Sequence, residues 1–259
     1  MNLDLSQKKA LVCGSTAGIG LAVAQSLAQL NCQVTLVARN EEKLKLALGQ
    51  LDGNGHDYLV ADFSKPEELK TKILAHTSAR NTYHILINNT GGPPGGPAAE
   101  AKEEEFMDAF QMHLMCNHIL AQALIPGMKA EKYGRIVNII STSVKQPIAG
   151  LGVSNTIRGA VANWSKTLSS ELAPFGITVN NVLPGATNTG RLNEIAANRA
   201  MRSGKSKEEE FQAFADATPM KRVGEPWEIA AGVAFLASPS AAFISGINLP
   251  IDGGRTKSL

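Results

Sequence analysis

The chain has 259 residues, a formal net charge of +2 and 44% hydrophobic residues, enough for one sizeable core. So small a charge argues against a nucleic-acid footprint or an anionic-membrane surface. Cys13, Cys32 and Cys116 lie apart in apolar segments, against both a disulfide framework and a metal site, and no apolar run approaches the ~20 residues of a membrane span. The start, Met1-Asn2-Leu3-Asp4, lacks a basic signal-peptide region, so a cytoplasmic setting is expected.

The first element is an apolar run, Ala10 to Cys13, predicted to be a strand. It enters Gly14-Ser-Thr-Ala-Gly18-Ile-Gly20, after which Leu21 to Leu30 reads as a helix. Glycines at this spacing let a backbone turn with positive φ and approach a pyrophosphate, which the N–H groups of the new helix face. Between a strand and a helix this is the pattern of a dinucleotide site rather than a chance glycine-rich turn.

Strands and helices then alternate. Gln33 to Ala38 is a β-branched strand, and Glu41 to Leu51 a helix that Asn40 can cap. Tyr58 to Ala61 is the third strand, and Pro66 to Ala79 the third helix. His84 to Asn88 is the fourth strand, and the Thr90 to Pro97 stretch, all glycine and proline after its threonine, is a loop. Glu100 to Lys129 reads as a long helical region, Arg135 to Ile140 as a strand and Leu151 to Leu172 as a helix. Ile177 to Val182 is a sixth strand and Ile244 to Ile251 the last. The alternation predicts an α/β fold, a Rossmann-type doubly wound parallel sheet of about seven strands in a single domain over 1–259, with ligands at the carboxyl ends of the strands. A polar insertion from about Gly190 to Thr218 fits a substrate lid or a solvated helix.

Arg39 lies just past the second strand, about 20 residues after the glycine turn, where an acid would bind a ribose 2′-hydroxyl. A cation there suits a 2′-phosphate, so NADP(H) is expected rather than NAD(H); the competing reading is a solvated surface arginine. Asp62 ends the third strand and can either bind an adenine amino group or cap the next helix.

Taken together, the chain resembles the short-chain dehydrogenase/reductase family over nearly its whole length. The glycine turn resembles that family's, with Cys13 in place of a threonine, and Asn88-Asn89-Thr90-Gly91 resembles its Asn-Asn-Ala-Gly. Pro184-Gly185 with Thr187 and Thr189 resembles the segment that holds the nicotinamide carboxamide. Pro219 to Pro226 and Asp252-Gly253-Gly254 resemble the carboxyl-terminal region of the 3-oxoacyl-carrier-protein reductase branch. The resemblance implies cofactor contacts from Gly14, Ser15, Thr16, Gly18, Ile19, Gly20, Asp62, Phe63, Asn89, Thr90 and Gly91, and from Pro184 to Thr189. It also implies a homodimer or homotetramer built on a two-fold four-helix contact.

The family reduces a carbonyl with a serine, a tyrosine and a lysine, often joined by an asparagine. Gly134 to Ser141 matches the strand that delivers the serine, so Ser141 carries over. The tyrosine's place holds Ser154, the lysine's Arg158 and the asparagine's His113. A serine hydroxyl is a far weaker acid than a phenol, and arginine keeps the charge without relaying protons. None of Tyr58, Tyr83 and Tyr133 falls near the expected reactive end. His113 is either a proton source that titrates near neutral pH or a satisfied core residue. His56, His76 and His84 are expected in loops or at the surface. The expected activity is NADP(H)-dependent oxidoreduction of a carbonyl or secondary alcohol by a modified proton path. Open alternatives are an impaired member that binds NADP(H) as a sensor or assembly subunit, and a lyase or epimerase.

Overall fold

The computed structural model describes residues 1–78 and 82–258. Seven strands form one parallel sheet: β1 (Lys9–Cys13), β2 (Gln33–Ala38), β3 (Asp57–Val60), β4 (Ile85–Asn88), β5 (Gly134–Ile139), β6 (Ile177–Pro184) and β7 (Asn248–Ile251). Their order is β3-β2-β1-β4-β5-β6-β7, so the direction of winding reverses between β1 and β4. A doubly wound sheet opens a ligand crevice at that point.

The helices are α1 (Gly18–Gln29), α2 (Glu41–Leu48), α3 (Pro66–Ser78), α4 (Glu103–Phe110), α5 (Cys116–Ala130), α6 (Gly152–Leu172), α7 (Gly190–Ser203), α8 (Lys207–Asp216) and α9 (Pro226–Ala237). None is long and apolar enough to cross a membrane. Alternation along β1 shows how they divide. Ala10 and Val12 point into one core layer with Val23 and Leu27 of α1 and Val233 of α9. Leu11 and Cys13 point into the other, with Ile73 of α3 and Leu120 of α5. Successive side chains of a strand face opposite sides, so a sheet buried on both faces reads as a continuous apolar run. Helix starts follow local chemistry: Asn40 accepts the Lys43 N–H at 2.8 Å, and Ser206 and Glu209 form a reciprocal capping box.

Several expectations are corrected. The Glu100 to Lys129 region is helical without a break from Glu103 to Ala130, but a π-helical turn at Gln111–Met115 lies between α4 and α5 and the helix starts only at Glu103. The last strand starts at Asn248, since Gly246 takes a positive φ of 75° to donate its N–H to the Val179 carbonyl at 2.8 Å. The insertion at 190–218, read as a lid or a solvated helix, holds two helices, α7 and α8. His84 is buried rather than a surface residue, its Nδ1 accepting the Lys9 N–H at 3.1 Å. The predicted end of the third helix at Ala79 lies outside the described residues.

An asparagine ladder crosses the sheet. Asn88 donates to Asn138 at 2.8 Å, Asn138 to Asn181 at 3.0 Å and Asn181 to Asn248 at 2.8 Å. Each pair is directly opposite in the strand register. Amides one strand apart can pass one donor and one acceptor along the row, and a missing member leaves buried groups unpaired. Asn138→Ala is therefore expected to cost roughly 1–3 kcal/mol in urea unfolding. A loss within the error of the measurement would show that the ladder carries no stability.

Candidate active site

The glycine turn fits a dinucleotide because there is no room in it for side chains. A Cβ on Gly14 would stand 2.6 Å from the Asn89 carbonyl oxygen, and Gly14 takes φ of 58°. One on Gly20 would stand 2.2 Å from the Gly14 carbonyl oxygen. Asn89, just past β4, donates its side-chain N–H to the carbonyls of Cys13 and Gly14, both at 3.2 Å. Ser15 is fully buried and its hydroxyl accepts the Val37 N–H at 3.0 Å, tying the turn to β2. Thr16 and Ile19 flank the turn and are half-buried.

The segment after β6 closes on this turn. Gly185 donates to the Ile251 carbonyl at 2.9 Å, and the buried Thr187 hydroxyl donates to the Gly185 carbonyl at 3.0 Å. Thr189 caps α7, accepting the Leu192 N–H at 3.3 Å. Its methyl group lies within van der Waals reach of Gly18. Pro184, Gly185, Thr187 and Thr189 thus form the wall opposite the glycine turn.

On the adenosine side, Arg39 is exposed past the end of β2. The Ser64 N–H and hydroxyl donate to one Asp62 oxygen at 2.9 and 2.8 Å. Those bonds, with the charge of Arg39 adding to them, hold the Asp62 carboxyl below the usual range. Asp62 thus fixes the turn that precedes α3 and does not cap the helix itself, which starts at Pro66. Phe63 is buried, its carbonyl accepting the Cys116 thiol at 3.2 Å.

The altered centre gathers at the carboxyl ends of β4 and β5. Ser141 leaves β5 half-buried, its hydroxyl accepting the Ser143 N–H at 3.1 Å. Arg158, on α6, is buried to 8% exposure and donates to the Ile139 carbonyl at 3.3 Å. Burial first, and the charge of Arg191 second, push the Arg158 guanidinium down to about 10, so it stays charged at neutral pH. Ser154 is half-buried one helical turn before Arg158.

His113 occupies the middle of the π-helical turn, fully enclosed, its Nδ1 2.6 Å from the Thr90 hydroxyl. Its Nε2 is buried without a hydrogen-bond partner among the described residues. Burial, then the charge of Arg158, push the ring down to about 2. His113 is therefore a neutral imidazole, which fits the core-residue reading rather than the proton source, although its Nε2 is not satisfied among the described residues. Single π turns inside α-helices recur at functional sites, and this one sets His113 against Thr90.

The tyrosines are elsewhere. Tyr58 donates to Glu41 at 3.0 Å. Tyr83 is 2.8 Å from the Thr35 hydroxyl, and Tyr133 donates to the Ala237 carbonyl at 2.8 Å. Sequence reasoning missed Arg191, whose guanidinium donates to the Pro93 carbonyl at 2.7 Å. Its only signal was a position soon after Thr189, hidden in a run of charges.

The chain matches the family model described as Enoyl-(Acyl carrier protein) reductase over residues 14–256. It is 32% identical over 252 residues to a 3-oxoacyl-(acyl-carrier-protein) reductase of Vibrio cholerae, covering 97% of this chain and 98% of that one. It superposes on an L-sorbose reductase of Gluconobacter frateurii solved with NADPH and L-sorbose, with a TM-score of 0.94, 31% identity and complete coverage of both chains. An actinorhodin polyketide ketoreductase solved with NADPH matches at a TM-score of 0.90 and 31% identity, over 96% of this chain and 97% of that one.

The buried state of His113 has a pH consequence. In the unfolded chain a histidine takes up a proton near pH 6.5, whereas folded His113 does so only near 2. Its contribution to stability is therefore lost as pH falls below about 6.5, by at most about 1.4 kcal/mol per pH unit. Ring nitrogen shifts are expected to show a neutral His113 from pH 8 to 5, and His113→Gln to lose less stability over that interval than the native chain. Titration of this ring between pH 6 and 7 would refute the assignment.

Proposed function

Because the chain belongs to the short-chain dehydrogenase/reductase family, we propose that it is an NADP(H)-dependent oxidoreductase acting on a carbonyl or secondary alcohol. The observation that carries this reading is the cradle in which Gly14 and Gly20 pack against Asn89 and each other with no space for a Cβ, while Gly18 takes a positive φ of 54° close to Thr189. Such a cradle exposes backbone N–H groups at the start of α1 to a pyrophosphate. Asn89, Thr90 and Gly91 border the adenosine ribose, and Pro184 to Thr189 hold the carboxamide. Arg39 receives the 2′-phosphate, and residues 190–218 act as the substrate lid. When bound, NADPH supplies a hydride.

The remaining chemistry falls to side chains. Hydride arrival at a carbonyl carbon leaves negative charge on oxygen, and a preorganised cation in a dry site is the strongest means of stabilising it. Arg158 is that cation and also holds the nicotinamide ribose. Ser141 donates a hydrogen bond to the substrate oxygen, and Ser154 passes a solvent proton to it. His113, neutral, orders Thr90 rather than acting as the acid. The alternative, a cofactor-binding sensor or assembly subunit, is favoured by one fact: position 154 carries no phenol.

Two measurements test these assignments. In calorimetry, Arg39→Ala is expected to weaken NADPH binding about tenfold or more, the loss of a charged phosphate contact, while NADH binding stays within about twofold. Equal effects on both cofactors would refute the 2′-phosphate role. Separately, Ser154→Tyr with Arg158→Lys restores a positioned phenol and is expected to raise kcat for ketone reduction, towards the about 10²–10⁴-fold that a general acid supplies. A drop in kcat with unchanged NADPH affinity would show that the native centre uses a different path.

A further inference from the structure

The reactive end holds two guanidinium groups and no carboxylate that neutralises the buried one. Arg158 is nine-tenths buried, and the only charge acting on it among its resolved influences is Arg191, which opposes its protonation. Arg191 sits at the start of α7, directed by its 2.7 Å bond to Pro93 into the loop between β4 and α4. Its nearest acid, Glu194, is 3.5 Å away in an exposed pair, a contact that solvent screens. A desolvated charge without a counter-ion is costly, and two like charges brought together cost more.

The loop covers Arg191 only lightly: a Cβ on Gly92 would stand 3.7 Å from its Nε and Nη2, in ordinary contact, and one on the exposed Gly91 or Gly190 would meet nothing within 4 Å. The loop itself is fixed, because Gly96 donates to the Gly150 carbonyl at 2.8 Å and accepts the Gly152 N–H at 2.9 Å at the start of α6. The loop and the start of α7 therefore hold Arg191 half-exposed beside a wall poor in side chains, while Arg158 is held buried from α6. The unpartnered Nε2 of His113 is a further buried polar group, within the field of Arg158. A planar guanidinium is suited to bidentate contact with a carboxylate or phosphate.

We propose that Arg191, aided by the field of Arg158, binds an anionic group of the substrate, a carboxylate or phosphate carried a few bonds from the reacting carbon. This rests on the oxidoreductase reading and narrows it to oxo acids or phosphorylated ketones and the corresponding alcohols. In the reduction direction, the two electrons and hydrogen of the hydride form the new C–H bond, the carbonyl oxygen takes a solvent proton, and NADPH becomes NADP⁺. The anionic group is unchanged and serves to orient the carbonyl.

The test compares matched pairs: 3-oxobutanoate against its methyl ester, and dihydroxyacetone phosphate against dihydroxyacetone. NADPH oxidation gives kcat/KM for each, and calorimetry gives binding of each to the NADP⁺-loaded protein. In at least one pair the anion is expected to lead by tenfold or more. Arg191→Gln is expected to bring that ratio close to one, mainly through KM, while Arg202→Gln on the same helix preserves it. The ratio is taken within one variant, so partly unfolded protein cancels. A selective anion that binds through Arg191 but is never reduced would leave the anion site standing and remove the oxidoreductase reading. Ratios near one in both pairs with no preference in binding, or a preference that survives Arg191→Gln, would overturn the proposal.

Discussion

The close approach of Gly20 to Gly14, held by the Asn89 side chain, is the contact on which the rest of the site depends. A 2.2 Å gap between the Gly14 carbonyl oxygen and any Cβ at position 20 allows only glycine there without displacing the backbone. Asn89 turns that close approach into a joint by bonding the carbonyls of Cys13 and Gly14. It thereby ties together β1, the turn and the end of β4, the two strands that flank the winding reversal. The start of α1, the wall after β6 and the loop carrying Thr90 all take their positions from it.

The other end of the crevice is governed by charge. Arg158 retains its proton despite burial, and burial, with the field of Arg158 adding to it, keeps His113 neutral. A buried pair of this kind has one component that cannot give up its proton and another that cannot gain one. In the function proposed for this centre, proton traffic falls to hydroxyls and solvent, and the cation stabilises negative charge. The asparagine ladder across β4 to β7 stiffens the sheet beneath this centre, because Asn138 and Asn181 are each held on both sides by their neighbours in the row.

Much of this was legible in residues. Gln33 to Ala38 is a strand at its predicted ends, because a β-branched run bounded by polar residues leaves the chain few choices. The glycine turn lies between β1 and α1 as its spacing predicts, with Asn89 bonded to it. The π-helical turn was not legible, since Glu103 to Lys129 keeps a helical apolar pattern and one extra residue per turn leaves no local signature. The ladder was hidden for another reason: Asn88, Asn138, Asn181 and Asn248 become neighbours only once the register is known. The choice between the two readings of His113 was out of reach of the sequence because it depends on burial and on Arg158, which are tertiary facts.

The central claim is that hydride transfer survives in a centre built on Ser141, Ser154 and Arg158. Incubation with NADPH deuterated at each face of nicotinamide C4, alongside a panel of ketones and oxo acids, tests it by mass spectrometry of the alcohol products. The account predicts one deuterium on the carbinol carbon of a product, from one face only. Tight NADPH binding with no deuterium in any product would contradict it.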